Sequence, residues 1–383
     1  MLIEFGVTNF CQFSGKQTLS MVSDNTKELQ DSNTFLPIPK HEKVKLARLL
    51  NSAGVYGPNA SGKSNLLTAM NLMKNIVLTS NCVDKLDEII PNFFHKNEPT
   101  EFQVIFIANG VRYQYGFATN RQLIMEEWLF AFPSGRAQQW LSRVYVAETQ
   151  EYKWYINPTF IKGDKKHWIE STPSHSLFLS TVNKLNIKQF DDIYQWFNNI
   201  NISENEITAS DIIKLNKNTE KKTKVLNFLQ SVDLDINDFV IETFTPITLM
   251  YDVYEIVCSH KINNNSFKIP LSSESNGTQQ LIKLAVNITN SLDNGSIICI
   301  DDLGLNLHPY ISNFLVTLFN DPETNPNHAQ LIFTSHDTTL LDTNLLRRDQ
   351  VWFIEKDDNC SSHLYPLTDF KPRPNTESLY KGY

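Results

Sequence analysis

Cysteine is sparse and unpaired in this sequence. Cys11, Cys82, Cys258, Cys299 and Cys360 are scattered over 383 residues with no Cys-x-x-Cys spacing. That pattern excludes a disulfide framework and a cysteine-based zinc site, and it fits a reducing cytoplasm. Long apolar runs are missing too. None approaches the roughly 20 residues that cross a bilayer, so no membrane association is expected. The opening Met1-Leu-Ile-Glu-Phe-Gly-Val-Thr-Asn-Phe10 lacks the basic region and cleavage site of a signal peptide and reads as a strand. Positive charge is in short supply, with a net charge of −8 and a pI near 5.6. Non-specific nucleic-acid coating draws its affinity from a basic surface, which the chain as a whole lacks. No set of Cys, His and carboxylates has metal-ligand spacing, and no internal repeat or low-complexity tract occurs.

What is present describes a folded chain: 41% hydrophobic and 20% charged residues, enough for one large domain or two of ordinary size. Residues 1–56 alternate short apolar strands with polar turns and end in Ala53-Gly-Val-Tyr56. From Ser64, Leu66, Leu67, Met70, Leu72, Met73, Ile76 and Val77 recur at helical spacing. Residues 102–155 read as β-hairpins, the first turning at Asn109-Gly110. The alternating Tyr152, Trp154 and Tyr155 are expected in the core. Helical spacing takes over near residue 174, and strands return near 239–270. Residues 296–300 and 330–334 are nearly all apolar, as in strands buried on both faces of a parallel sheet. The expected fold is therefore α/β. Residues 1–155 and 246–383 form one head with a mixed-sheet lobe, split by a mostly helical insertion over 156–245.

Gly57-Pro-Asn59-Ala60-Ser61-Gly62-Lys63-Ser64 fits G-x-x-x-x-G-K-[ST], with a strand before it and a helix after. Such a loop aims backbone N–H groups and a helix N-terminus at phosphates. Lys63 reaches the β- and γ-phosphates, and the Ser64 hydroxyl takes a place on Mg²⁺. Further on, Gly295-Ser-Ile-Ile-Cys-Ile-Asp301-Asp302 sets two carboxylates at the end of a buried strand, where ligands gather in open α/β sheets. Asp301 would serve the Mg²⁺ shell and Asp302 the attacking water, although an Asp pair is equally a common turn-former. Leu331-Ile-Phe-Thr-Ser-His336 ends a second buried strand in an imidazole. A lone histidine there is ordinarily structural, but the order of the three motifs matches a phosphate-sensing arrangement.

Ser273-Glu274-Ser275-Asn276-Gly277-Thr278-Gln279-Gln280-Leu281 completes the set. Ser275 stands at the N-cap of a helical pattern, able to present N–H groups and a hydroxyl to an anion; alone, it is equally an ordinary cap. With the other motifs in this order, the stretch resembles the Glu-Ser-x-Gly-Thr signature of ABC-type ATPases, specifically the prokaryotic RloA/AbiL-like anti-phage group. Val7-Thr-Asn-Phe-Cys-Gln-Phe13 and the region from Arg347 to Lys371 share the resemblance. It implies ATP and Mg²⁺ as ligands, with Gly57, Asn59, Ala60, Ser61, Gly62, Lys63 and Ser64 on the nucleotide. Ser64 and Asp301 would hold the metal, and Asp302 and His336 would be catalytic. Ser275 and Gly277 would close on a γ-phosphate held by another copy, in a homodimer or higher homo-oligomer. A separately encoded effector, such as a nuclease, is the implied partner.

The sequence departs from that group at Asp302, where Glu is usual, at Gly304 and Asn306, where Asp and Ser are usual, and at Cys11, where Arg is common. A base held 1 Å too far can cost on the order of a hundredfold in rate, so slow hydrolysis is expected. A non-hydrolysing ATP-bound scaffold or sensor is one alternative, and a DNA-repair ATPase gripping duplex DNA is another. Two basic clusters, Lys214, Lys217, Lys221, Lys222 and Lys224, and Lys162, Lys165, Lys166, His167 and Trp168, read first as solvated surface. Too few residues follow His336 for the metal-dependent nuclease domain of overcoming-lysogenization-defect nucleases, so no nuclease is expected within the chain.

Overall fold

The computed structural model describes residues 1–82, 86–202, 215, 217–232, 236–244, 253–262, 265–305 and 307–370. β1 (Leu2–Thr8), β2 (Gln17–Ser20), α1 (Gln30–Asn33), β3 (Thr34–Phe35) and β4 (Leu49–Leu50) lead to β5 (Ser52–Tyr56), which feeds α2 (Lys63–Thr79). A meander follows: β6 (Thr100–Ala108), β7 (Val111–Thr119), β8 (Ile124–Phe132), β9 (Gln138–Val146) and β10 (Glu151–Ile156). α3 (Lys165–Glu170), α4 (Phe178–Lys184) and α5 (Asp191–Asn198) precede β11 (Ile200–Ile202) and α6 (Thr219–Ser231). Next come β12 (Ile236–Phe244), β13 (Val253–Ile262), β14 (Asn265–Pro270) and α7 (Asn276–Asn294). β15 (Ile297–Ile300), α8 (Pro309–Asn320), β16 (Gln330–Thr334), β17 (Val351–Lys356) and β18 (Ser362–Pro366) complete the order.

Three larger sheets result. An antiparallel sheet runs β10-β9-β8-β7-β6-β1-β2, and a small antiparallel one runs β12-β13-β14. The central sheet runs β11-β15-β16-β5-β17-β18 and is parallel except for the β17–β18 pair. The first hairpin turns at Asn109 and Gly110 with φ of 49° and 71°, the left-handed pair that matches strand twist. A Cβ on Gly110 would stand 2.6 Å from Lys40 N, so only glycine fits there.

The apolar strands read as doubly buried are so because of the pleat. Ala53, Val55, Cys299, Ile332, Trp352 and Ile354 face one core, shared with α2 and the antiparallel sheet. Tyr56, Ile298, Ile300, Leu331, Phe333 and Phe353 face the other, shared with α7 and α8. Successive residues thus serve opposite layers, so no polar face survives. Gln330 locks the layers together: its Oε1 accepts from Leu2 N at 2.5 Å, and its Nε2 donates to Leu2 O and Leu50 O at 3.1 and 3.2 Å.

Two details depart from the sequence reading. Ile200–Ile202, within the span read as helical, pairs in parallel with β15 and forms an edge of the central sheet. Tyr155 is exposed rather than in the core, while Tyr152 and Trp154 are half-buried. Tyr152 and Trp154 share one face of β10, and the pleat turns the next residue, Tyr155, to the opposite face. Among the described residues no helix is long and apolar enough to cross a membrane.

Candidate functional site

β5 delivers the chain to the phosphate loop at the carboxyl edge of the central sheet, between β16 and β17. The loop is possible because of where its glycines fall. A Cβ on Gly57 would approach Ile354 O to 2.3 Å, and Gly62, at φ +109°, sits where L side chains are strained. The loop closes into α2 with Gly62 as the residue before its first turn, which leaves the helix N–H groups facing outward. Lys63 is largely buried, and its Nζ donates to Gly57 O at 2.8 Å and Pro58 O at 3.0 Å. Burial draws its pKa below the ordinary lysine range, against the opposite pull of Asp302 and Asp301. Ser61 Oγ is buried with no hydrogen-bond partner among the described residues. A donor so placed, beside an ammonium and a helix N-terminus, suits an anionic oxygen.

The cavity at this loop measures about 330 Å³. Asn59, Ala60, Ser61, Gly62, Lys63 and Ser64 line it, as do Asp302 and His336, so the structure gathers residues of three separate motifs into one pocket. Gly57 and Asp301 are close by in sequence to its lining residues but are not among them. Just past β15, Asp301 Oδ1 accepts from Thr334 Oγ1 of β16 at 2.5 Å, and the same hydroxyl oxygen accepts from Asp302 N at 2.8 Å. Asp302 adopts a left-handed φ of 48° and brings Oδ1 to 3.6 Å from His336 Nε2. Ser64 contributes an exposed hydroxyl and Asp301 a half-buried carboxylate. Such hard oxygen donors suit Mg²⁺, which needs few protein ligands when phosphates complete its shell.

Ser275 caps α7, its Oγ accepting from Thr278 N at 3.1 Å. Ser275 and Gly277 do not line the cavity of their own chain; Ser275 is exposed and Gly277 half-buried at the helix start. Gln12 and Asn65, which the sequence reading did not assign to the site, do line it, and Asn65 Nδ2 donates to Gln12 Oε1 at 2.6 Å. Gln12 lies inside the stretch Val7–Phe13 that carried part of the resemblance, which was its one signal. Thr334 was also unassigned. A threonine ending a strand looks like any β-former.

The basic clusters are largely engaged within the chain. Lys222 pairs with Asp238, Lys224 with Glu220 and Asp293, Lys166 with Glu170, and Lys221 Nζ donates to Asn290 Oδ1. Lys214 and Asn306 lie outside the described residues, as does Lys371.

No curated protein matches this chain. Among solved structures, the SMC head domain from Thermotoga maritima is similar at 14% identity and a TM-score of 0.43, over 95% of this chain and 98% of that one. The structure titled "Crystal structure of the SmcHead bound to the C-winged helix domain of ScpA" is similar at 11% identity and a TM-score of 0.44, over 97% and 99%. The family model described as "AAA domain, putative AbiEii toxin, Type IV TA system" matches residues 52–342, from the phosphate-loop strand to just past His336, and the chain belongs to that family of AAA-type ATPase domains.

Proposed function

We propose that the protein is an ABC-type ATP switch of the RloA/AbiL-like group: it binds Mg·ATP, hydrolyses it slowly, and pairs with a second copy around the nucleotide. The observation that carries this reading is the convergence of the phosphate loop, Asp302 and His336 on one cavity, while the capped Ser275 stands outside it. A site complete in phosphate donors on one side and lacking its cap is best closed by another chain. A two-fold pair satisfies both sites at once.

On ATP binding, the Lys63 amine exchanges the Gly57 and Pro58 carbonyls for β- and γ-phosphate oxygens. Ser61 Oγ, which has no partner among the described residues, gains one. Ser64 and Asp301 would hold Mg²⁺, which neutralises developing charge on the phosphates. Asp302 accepts the proton of the attacking water, and His336, beside it, contacts the γ-phosphate. Water oxygen bonds to the γ-phosphorus, the bridging bond to ADP breaks, and phosphate departs. Asp302 is one methylene shorter than the usual Glu, so its reach limits turnover. Pairing and separation would then control a separately encoded effector in anti-phage defence, an assignment supported by the resemblance alone.

A phosphate-release assay tests the reading. Turnover is expected to be slow, Mg²⁺-dependent, and lost in Lys63→Ala and Asp301→Ala. Tight ATP binding with no turnover in the wild type would favour an ATP-bound sensor instead, the alternative that the short Asp302 side chain supports. Absence of adenine-nucleotide affinity would overturn both.

A further inference from the structure

The turn that presents Ser275 is tied to a sheet that takes no part in the cavity. β14 ends at Pro270, a short 3-10 turn spans Leu271–Ser273, and Glu274 then joins it to the Ser275 cap. Glu274 is held at three points. Its Oε1 lies 2.7 Å from His260 Nε2 on β13, its N–H donates to Leu271 O at 3.1 Å, and its carbonyl accepts from Gln279 Nε2 at 2.9 Å. The carboxylate and imidazole are only 12% and 17% exposed, so solvent does little to loosen them. The first contact fixes Glu274 to the β12–β14 sheet, and the last fixes it to the first turn of α7. Ser275, the next residue, inherits its orientation from both. Away from the turn the sheet is also tied to α6, where Lys222 pairs with Asp238 on β12.

We propose that His260 and Glu274 are positioning residues for the half of the nucleotide site that one copy offers another. They aim Ser275 Oγ and the α7 N-terminus, and the placement of the β12–β14 sheet thereby sets how readily two copies close on ATP. The inference rests on the paired reading given above. Neither residue touches the nucleotide of its own chain. Their loss should leave the affinity of a single copy intact while weakening pairing and turnover.

The test uses the full chain and three measurements: affinity for a fluorescent ATP analogue at protein concentrations too low for pairing, pairing by sedimentation with Mg²⁺ and a non-hydrolysable analogue, and kcat against KM. His260→Leu is expected to cut pairing and kcat by roughly tenfold, the scale of a lost charge-assisted hydrogen bond, with single-copy affinity unchanged. His260→Gln, whose amide nitrogen can replace Nε2, is expected to recover most of the loss. His260→Asn, with its nitrogen too short, is not. If His260→Leu folds poorly, the Gln and Asn variants carry the comparison, since both keep a polar group and differ in reach. Equal pairing by the Gln and Asn variants, or wild-type pairing by His260→Leu beside failure of Ser275→Ala, would overturn the inference and leave the paired reading standing. Failure of the wild type to pair with ATP, or normal pairing by Ser275→Ala, would sink the paired reading and this inference with it.

Discussion

The hydroxyl of Thr334 donates to Asp301 Oδ1 at 2.5 Å. The same oxygen accepts the backbone N–H of Asp302 at 2.8 Å, so its proton is committed to Asp301 and one side chain ties the Asp301 carboxylate to the Asp302 backbone. Outer-shell partners of a metal-binding carboxylate typically matter 10–100-fold in metal affinity or activity. Thr334→Val keeps the shape and removes the oxygen. It is expected to raise the Mg²⁺ concentration for half-maximal turnover at least tenfold and leave nucleotide affinity without metal unchanged. Thr334→Ser should restore turnover to within a few-fold. A Val variant with normal Mg²⁺ dependence would show that Asp301 needs no such orientation.

Asp302 offers a second prediction, because its short side chain is the departure most directly tied to rate. Its left-handed backbone, φ 48°, already swings it toward His336. Adding one methylene by Asp302→Glu extends the carboxylate into the cavity and is expected to raise steady-state phosphate release about tenfold. Asp302→Ala should remove most of the turnover with little change in ATP affinity. An Ala variant as fast as the wild type would mean that the base lies elsewhere.

The parts of the site legible in the sequence were those encoded locally. The phosphate loop needs its glycines, Lys63 and Ser64 within eight residues, and the doubly buried strands announce themselves because both faces must be apolar. Thr334 and Gln12 escaped because their meaning is set by register. Thr334 meets Asp301 only because Ile300 pairs with Phe333 across β15 and β16, and Gln12 reaches Asn65 across 53 residues. Ile200–Ile202 is a three-residue edge strand wedged behind helices, too short to show alternation of its own. Tyr155 follows Trp154 directly, so the pleat turns it away from the face that Tyr152 and Trp154 share, and grouping the three by aromatic character missed that. His260 and Glu274 are likewise joined only by the antiparallel return of β13, β14 and the turn after them.

The loop's geometry yields a third prediction. Gly62 sits at φ +109°, and a Cβ there would stand 3.1 Å from both Gln12 Oε1 and Ser362 Oγ. Strain of this kind costs about 1–3 kcal/mol. Gly62→Ala is expected to lower the unfolding free energy by that amount and to weaken ATP binding more than tenfold, because the loop amides and Gln12 shift together. Calorimetry with and without nucleotide would separate the two effects. Unaltered affinity would show that the loop tolerates a different backbone path.

The antiparallel lobe holds a buried ion pair whose removal should affect stability and spare the nucleotide site. Glu127 is fully buried; it accepts from Tyr115 Oη at 2.9 Å and from the N–H groups of Phe178 and Leu179 at 2.7 and 3.2 Å. It therefore caps α4 from a neighbouring strand, in place of the Leu177 side chain that cannot. Arg143, 3.9 Å away, stacks over Tyr152 and Trp154 and donates to Ser176 O and Pro173 O. Removing one member leaves a buried charge and two orphaned N–H groups, so Glu127→Ala is expected to cost about 3–5 kcal/mol in denaturant unfolding. Adding Arg143→Leu should cost less than the sum of the single changes by about 1–3 kcal/mol. Burial raises the Glu127 pKa despite the pull of Arg143, so the folded chain holds that proton more tightly than the unfolded chain does. Its contribution favours folding at low pH and is lost as pH climbs from the ordinary glutamate value through the raised one. Glu127→Gln should flatten that part of the stability profile. ATP affinity unchanged in every folded variant would confirm that the lobe supports the site without entering it, and a strictly additive double variant would show that the two side chains do not act as a pair.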